Sequence, residues 1–230
     1  MPRRARVLIP GVPLHLIQRG NNKSVCFFTE EDYLFYLETL VEQASKNYCD
    51  IHAWCLMTNH IHLLVSPHNA NSASLLMKGV GQRYAQYINR TYSRSGSLWE
   101  GWYRSCLVEN ERYLLCCYRY IEMNPVRAKM VNHPAEYRWS SYRVNAQSER
   151  SHIVTLHAQY LALGGQGRQP ADAYRELFKN DLESGLVDQI RDATNGNNVF
   201  GSSKFAINVE AMIGRCVQRG SPGRPKKPTI

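Results

Sequence analysis

No stretch of this sequence is both long and apolar enough for a bilayer. Its hydrophobic runs fall well short of the ~20 residues a spanning helix needs, and the basic start Met1-Pro2-Arg3-Arg4 leads into no signal-peptide core. The expectation is a cytoplasmic, nucleoid-associated protein with no membrane partner. Cysteine is present without a useful pattern. The seven residues (Cys26, Cys49, Cys55, Cys106, Cys116, Cys117 and Cys216) are odd in number and contain no Cys-x-x-Cys, so neither a disulfide framework nor a zinc knuckle is suggested. They read as small buried hydrophobes. Acidic side chains are scarce: 19 Asp and Glu against 28 Lys and Arg leave a net charge of +9. That balance suits a polyanion, nucleic acid ahead of a membrane surface, and no small-molecule substrate is indicated. There is also no internal repeat. With 230 residues, 43% of them hydrophobic, the chain can bury one main core and carry an extension.

What is present begins with Leu14–Arg19, which reads as a strand stopped by the turn signal Gly20-Asn21-Asn22. Thr29 caps a helix with Glu30, Glu31 and Asp32 in its first turn, where the helix dipole favours acids; apolar residues at helical spacing carry it to about Lys46. Ile51–Met57 is apolar on both faces, as a central strand is, and Thr58-Asn59 turns it into an antiparallel partner ending at Ser66-Pro67. Asn71 or Ser72 opens a second helix to about Tyr92, with Leu76, Val80, Tyr84 and Ile88 as its buried stripe. The aromatic and β-branched segment Trp99–Val108 predicts another strand, and Glu111–Asn124 a third helix closed by Pro125. This order, βαββαβ and a helix, predicts an α+β, ferredoxin-like split βαβ antiparallel sheet with helices on one face, the other face free to hold a ligand. Residues 1–145 form that domain. Residues 146–217 are expected as a helical C-terminal extension, with helices at 171–183, 186–193 and 204–217, after an irregular stretch from Arg127 to Tyr142. The basic tail 218–230 is expected to be disordered when free.

The chemistry concentrates in two places. In the strand Asn59-His60-Ile61-His62-Leu63-Leu64-Val65, side chains alternate, so His60 and His62 project together while Ile61, Leu63 and Val65 enter a core. A His-x-His pair arises by chance in about one sequence in four of this composition, and more often than not it is a satisfied polar edge. On the third helix, Tyr120 and Asn124 are four residues apart and share a face, whereas Tyr118 and Glu122 lie about 200° round from Tyr120. Tyr120 is therefore the candidate nucleophile, with a structural half-buried tyrosine as the bland alternative. Asn124 can complete a metal site with the histidines or simply end a helix. Imidazole plus an oxygen ligand suits a first-row divalent cation such as Mn²⁺, while Mg²⁺ prefers more oxygen and keeps several waters; either polarises a phosphoryl oxygen toward attack. Lys78, Arg83 and Arg90 make the second helix basic, as any solvent face can be, and Trp99, Trp102, Tyr103 and Trp139 are candidate stacking platforms.

His60-Ile61-His62 on a strand, Tyr120 on a later helix and Tyr-Ile-x-x-Asn-Pro-Val-Arg-Ala at 120–128 resemble the HUH single-tyrosine transposases, the REP-associated tyrosine transposases in particular. Arg19-Gly20-Asn21-Asn22, Trp54–His62 and Trp139-Ser140-Ser141-Tyr142 match that family's wording too, so the resemblance spans about residues 5–145. It implies a metal-dependent single-strand endonuclease and strand transferase that forms a 5′-phosphotyrosine and leaves a 3′-OH. The implied substrate is a REP-like hairpin beside a short guide tetranucleotide. Tyr120 is the implied nucleophile and His60, His62 and Asn124 the metal ligands, Asn124 standing where related enzymes carry Gln or another polar ligand. DNA contacts are expected from Arg19, Asn21, Lys78, Arg83, Arg90, Trp99, Arg104 and Arg127, and from Arg224, whose Gly223-Arg224-Pro225 setting resembles an AT-hook core. The chain is expected to act as a monomer or homodimer. A hairpin-binding regulator with a decayed nuclease, and a phosphohydrolase using water, are the competing readings.

Overall fold

The computed structural model describes residues 5–110, 112–165, 167–183 and 185–217; the basic tail, Arg224 included, lies outside them. The main domain runs β1 (Leu14–Arg19), α1 (Glu30–Lys46), β2 (Cys49–Met57), β3 (His60–Pro67), α2 (Ser72–Thr91), β4 (Arg104–Val108) and α3 (Arg112–Glu122). It continues through α4 (Asn124–Arg127), α5 (Tyr142–Gln147), α6 (Ala158–Leu161), α7 (Pro170–Glu176), α8 (Leu186–Gly196), β5 (Val199–Phe200) and α9 (Ser203–Ile213). The sheet order is β2-β3-β1-β4-β5. All pairs are antiparallel except β4 with β5, which run parallel over two residue pairs. No helix among the described residues is long and apolar enough to cross a membrane.

Local chemistry fixes the frame. Asp32 Oδ2 accepts hydrogen bonds from the backbone N–H groups of Phe28 and Thr29, at 2.7 and 3.1 Å, and from the Tyr92 hydroxyl at 3.0 Å. One carboxylate thus satisfies donors at the start of α1 and ties them to the end of α2. In the β2–β3 hairpin Met57 stands opposite His60, as the turn at Thr58-Asn59 requires. Residues opposite one another across a sheet share a face. Leu14, Leu16, Leu56, Ile61, Leu63 and Val65 therefore join the core under α1 and α2. Ala53, Cys55, Met57, Leu64, Cys106 and Val108 point the other way, into a core with Leu114, Cys117 and Tyr118 of α3 and Tyr160, Tyr174 and Ile190 of the extension. The helices of the split βαβ unit, α1 and α2, lie on one face as expected. On the second face α3 and α8 stand beside the histidines and leave a cleft between them.

Several expected boundaries move, each for a visible reason. The strand foreseen at 99–108 is only Arg104–Val108: Gly101 at φ +70° turns the chain, and Trp99 is drawn off against α2, where its indole N–H donates to the Gly81 carbonyl at 2.9 Å. The stretch after Arg127, expected to be irregular, includes a 3₁₀ turn at Pro134–Glu136 and the start of α5. Helix α3 ends at Glu122, two residues before the expected Asn124. Helix α7 stops at Glu176 and passes into a 3₁₀ turn, and α9 ends at Gly214, whose φ of +68° is the left-handed closure that glycine adopts freely. The extension, expected to hold helices alone, also contributes β5 to the sheet.

A β-bulge between Ile51 and Ala53 sets His52 apart in β2. Its Nδ1–H donates to the Thr155 carbonyl at 2.7 Å, and its Nε2 lies 2.8 Å from the Ser66 hydroxyl, which can donate to it when the ring is neutral. Burial pushes His52 down to about 4 from 6.5. His60 falls to about 4 and His15 to about 3, and His62 goes well below its ordinary value. These groups bind protons in the unfolded chain below pH 6.5 but resist them when folded, so the stability they confer is complete above pH 6.5 and is lost as the pH falls toward 4. Urea unfolding should therefore show a steep loss of stability across that window. His52→Gln should remove about 3 kcal/mol of the loss; an identical pH profile for wild type and variant would contradict the assignment.

Candidate active site

The sheet register builds the site. In β1 Arg19 lies opposite His60 and Ile17 opposite His62; on the other edge of β1, Ile17 lies opposite Arg104. Helix α3 brings Tyr120 over these strands, its ring 5.8 Å from that of His62 and nearly perpendicular to it, while the two histidine rings lie 5.0 Å apart. These groups line a cleft of about 330 Å³ that Asn124 and Arg127 share, together with Glu100, Arg191 and Asn195. Its charged residues are four arginines, at positions 19, 104, 127 and 191, against the single carboxylate of Glu100. Such a surface attracts a phosphate-bearing chain and can grip it by paired N–H donors.

Tyr120 is held firmly. The Arg127 guanidinium lies 4.3 Å from its ring centroid and donates from Nη2 to the Tyr120 carbonyl. Burial raises the phenol's pKa, and the positive charges of Arg127 and Arg191 oppose that rise, Arg191 also through a hydrogen bond. The cations that stabilise a phenolate are therefore already in place. Burial also brings Arg127 down to about 10, which leaves it charged near neutral pH.

The histidines suit a cation. The Asn59 side-chain N–H₂ donates to the Lys23 carbonyl at 3.1 Å, so its Oδ1 faces His60 Nδ1 at 2.6 Å and must accept from it. The His60 proton is thereby fixed on Nδ1 and Nε2 keeps a free lone pair. Asn124 Nδ2 donates to the carbonyls of Tyr120 and Ile121, both at 3.1 Å, so Oδ1 is the atom that could ligate a cation. Among the described residues no three His, Cys, Asp or Glu come together as a metal cage. The donor set on offer is two imidazole nitrogens and one amide oxygen, a partial shell with room for substrate oxygens and water.

The other expected contacts separate. Lys78, Arg83 and Arg90 are exposed on α2, which packs on the opposite face of the sheet, and Arg83 pairs with Glu42 at 2.5 Å. Asn21 is exposed in the turn after β1, its backbone N–H bonded to the Leu98 carbonyl. Trp99 is not a stacking platform: it is buried against α2. Tyr103 is also buried, and Trp139 stacks on Tyr33 at 4.4 Å. Of those four aromatics only Trp102, 64% exposed, is presented broadly to solvent.

Sequence reading missed His15, Arg191, Thr194 and Asn195 as residues of the site. His15 is a lone polar residue between Leu14 and Leu16, and only the pairing of β1 with β3 reveals that it shares a face with His62. Arg191 and Asn195 are one helical turn apart on α8, and Asn195 Oδ1 accepts from Arg104 Nη1 at 2.7 Å. The polar i, i+4 pair was the available signal, but its destination depends on how α8 packs on the sheet.

A split βαβ sheet thus presents two histidines to a helix-borne tyrosine in an arginine-lined cleft. The chain belongs to the family of IS200-like transposases, whose model matches residues 10–124. Among solved structures, a REP-associated tyrosine transposase bound to a REP hairpin is similar over 74% of this chain and 97% of that one, at 14% identity and a TM-score of 0.57, which shows a shared fold. A candidate transposase from Deinococcus radiodurans R1 is similar over 56% of this chain and 92% of that one, at 17% identity and a TM-score of 0.37, too low to define a common fold. No curated protein matches the sequence. His15, His60, His62, Tyr120 and Asn124 fall inside the matched segment, whereas Arg127, Arg191, Thr194 and Asn195 lie beyond it.

Proposed function

We propose that this transposase is a single-strand DNA endonuclease and strand transferase that works through a covalent bond to Tyr120, with hairpin DNA as its substrate. The observation that carries the reading is the position of the Tyr120 phenol, between the histidine pair and the guanidinium groups of Arg127 and Arg191. The Tyr120 oxygen attacks the phosphorus of a backbone phosphodiester as its proton leaves. A tyrosyl P–O bond forms, the bond to the 3′ oxygen breaks, and that oxygen takes up a proton. One strand end is left as a free 3′-OH and the other as a 5′-phosphotyrosine. Arg19 and Arg104 grip the flanking phosphates, and Arg127 and Arg191 stabilise the phenolate before attack. His60, His62 and Asn124 would hold a divalent cation, Mg²⁺ or Mn²⁺, which supplies polarisation of the phosphoryl oxygen. Because the phosphotyrosine retains the energy of the broken diester, a 3′-OH can reverse the step and join a new strand. Hairpin DNA as substrate is supported by the structural relative that is bound to a REP hairpin.

The test uses single-stranded hairpin oligonucleotides with Mn²⁺, labelled at either end and resolved on denaturing gels. The 3′-labelled strand should migrate slowly as a protein adduct, while the 5′-labelled strand yields a shorter free fragment. Chelation by EDTA should abolish both products. Cleavage without an adduct would instead establish water as the nucleophile, and binding without cleavage would favour the decayed regulator.

A further inference from the structure

A chain of hydrogen bonds runs from the extension to the histidine pair. The Thr194 hydroxyl, fully buried on α8, lies 2.8 Å from the Ile190 carbonyl and 2.9 Å from Nδ1 of His15. His15, fully buried on β1, places its Nε2 2.9 Å from Nδ1 of His62, the two rings stacked 5.2 Å apart and 7° from parallel. One member of this chain has no choice of role, since a carbonyl oxygen only accepts. The single Thr194 hydrogen therefore goes to Ile190. Its oxygen must then accept, which puts the His15 proton on Nδ1 and makes His15 Nε2 an acceptor. His62 in turn must donate from Nδ1, and its Nε2 keeps the lone pair. Cys106 Sγ lies 3.2 Å from the same Thr194 oxygen, and burial pushes its thiol up to about 12, so it stays protonated and fills the second acceptor position.

We infer that Thr194 and His15 are positioning residues that lock His62 in the Nδ1–H tautomer and so present its Nε2 as a ligand toward a divalent cation in the cleft. The inference rests on the proposed metal role of His60 and His62. It gives the C-terminal extension a function inside the site, because α8 supplies an anchor that the 10–124 segment lacks. The lock on His62 is the counterpart of the one Asn59 places on His60. A ligand histidine tied through its second nitrogen is held in orientation as well as in tautomer, and loss of such a tie commonly costs 10–100-fold in metal affinity.

Two measurements on the full-length protein test this. Long-range ¹H–¹⁵N correlation spectra of the metal-free protein report which His62 nitrogen carries the proton, and calorimetric titration with Mn²⁺ reports affinity. Wild type should show the Nδ1–H form. Thr194→Val keeps the side-chain shape but removes the hydroxyl; it should give a mixture of His62 tautomers and bind Mn²⁺ about 10–100-fold more weakly. Thr194→Ser should restore both. A wild-type His62 protonated on Nε2, or a Thr194→Val protein with wild-type tautomer and affinity, would overturn the relay. Wild type with the expected tautomer but no Mn²⁺ binding would leave the lock standing and overturn the metal reading instead, so the two failures are distinguishable.

Discussion

Replacing Tyr120 by Phe should eliminate the protein–DNA adduct and lower strand cleavage by at least about 10³-fold, the scale on which removal of a covalent nucleophile acts. The fold should be unaffected, since the substitution keeps the ring on which Arg127 lies and the backbone carbonyl to which it donates. DNA binding should persist, because the arginines of the cleft are untouched. Tyr118→Phe is the matching control. Tyr118 lies two positions away on α3 but is buried with Tyr160 and Tyr174, on the side of the helix away from the histidines. It should form adduct at the wild-type rate. Loss of adduct in both variants would relocate the chemistry, and adduct formation by Tyr120→Phe would assign it to another side chain.

The second large effect concerns stability. Glu122→Ala should destabilise the protein by about 3–5 kcal/mol, read as a shift of the urea midpoint at unchanged slope. The Glu122 carboxylate is fully buried and accepts from Ser141 Oγ at 2.6 Å, Asn145 Nδ2 at 2.7 Å and the Tyr174 hydroxyl at 2.7 Å. It thereby joins the end of the tyrosine-bearing helix to α5, α7 and the residue before α5. Truncation strands three buried donors at once and leaves a cavity as well. Glu122→Gln should cost less than about 1 kcal/mol, because the Tyr174 hydroxyl can turn to accept from the new amide. The two variants also differ in pH response. Burial raises Glu122 from 4.5 to about 7, against the three donors. The folded chain thus holds this proton more tightly than the unfolded one, so the group's contribution is greatest below pH 4.5 and declines as the pH rises to about 7. Glu122→Gln should abolish that decline. If Glu122→Ala unfolds at the wild-type urea concentration, the carboxylate is not the joint described.

Much of the main domain could be read from the sequence because its signals are local. Gly20-Asn21-Asn22 stops β1, Thr29 with Asp32 opens α1, and Ser66-Pro67 ends β3; each acts within a few residues of itself. His60 with His62, and Tyr120 with Asn124, are equally local, being the strand and helix periods respectively. What escaped depends on partners distant in sequence. His15 gains meaning only opposite β3, Thr194 and Arg191 only once α8 lies on the sheet, and Glu122 only when Ser141, α5 and α7 close around it. Trp99 shows the opposite failure. An aromatic in a strand-like stretch has the same composition whether it stacks on a base or fills a core, and here the nearby Gly81 backbone takes its N–H.

The span from His15 to Thr194, 179 positions, also sets an order in time. At ordinary rates of chain elongation roughly ten to forty seconds separate the synthesis of these two residues. During that interval the histidine strands can pair, but the helix that anchors them does not yet exist. On the proposed reading, a growing or prematurely ended chain therefore carries an unfinished nuclease. An enzyme that cuts single strands would acquire that power only once the helix that carries Thr194 has been made and has packed on the sheet.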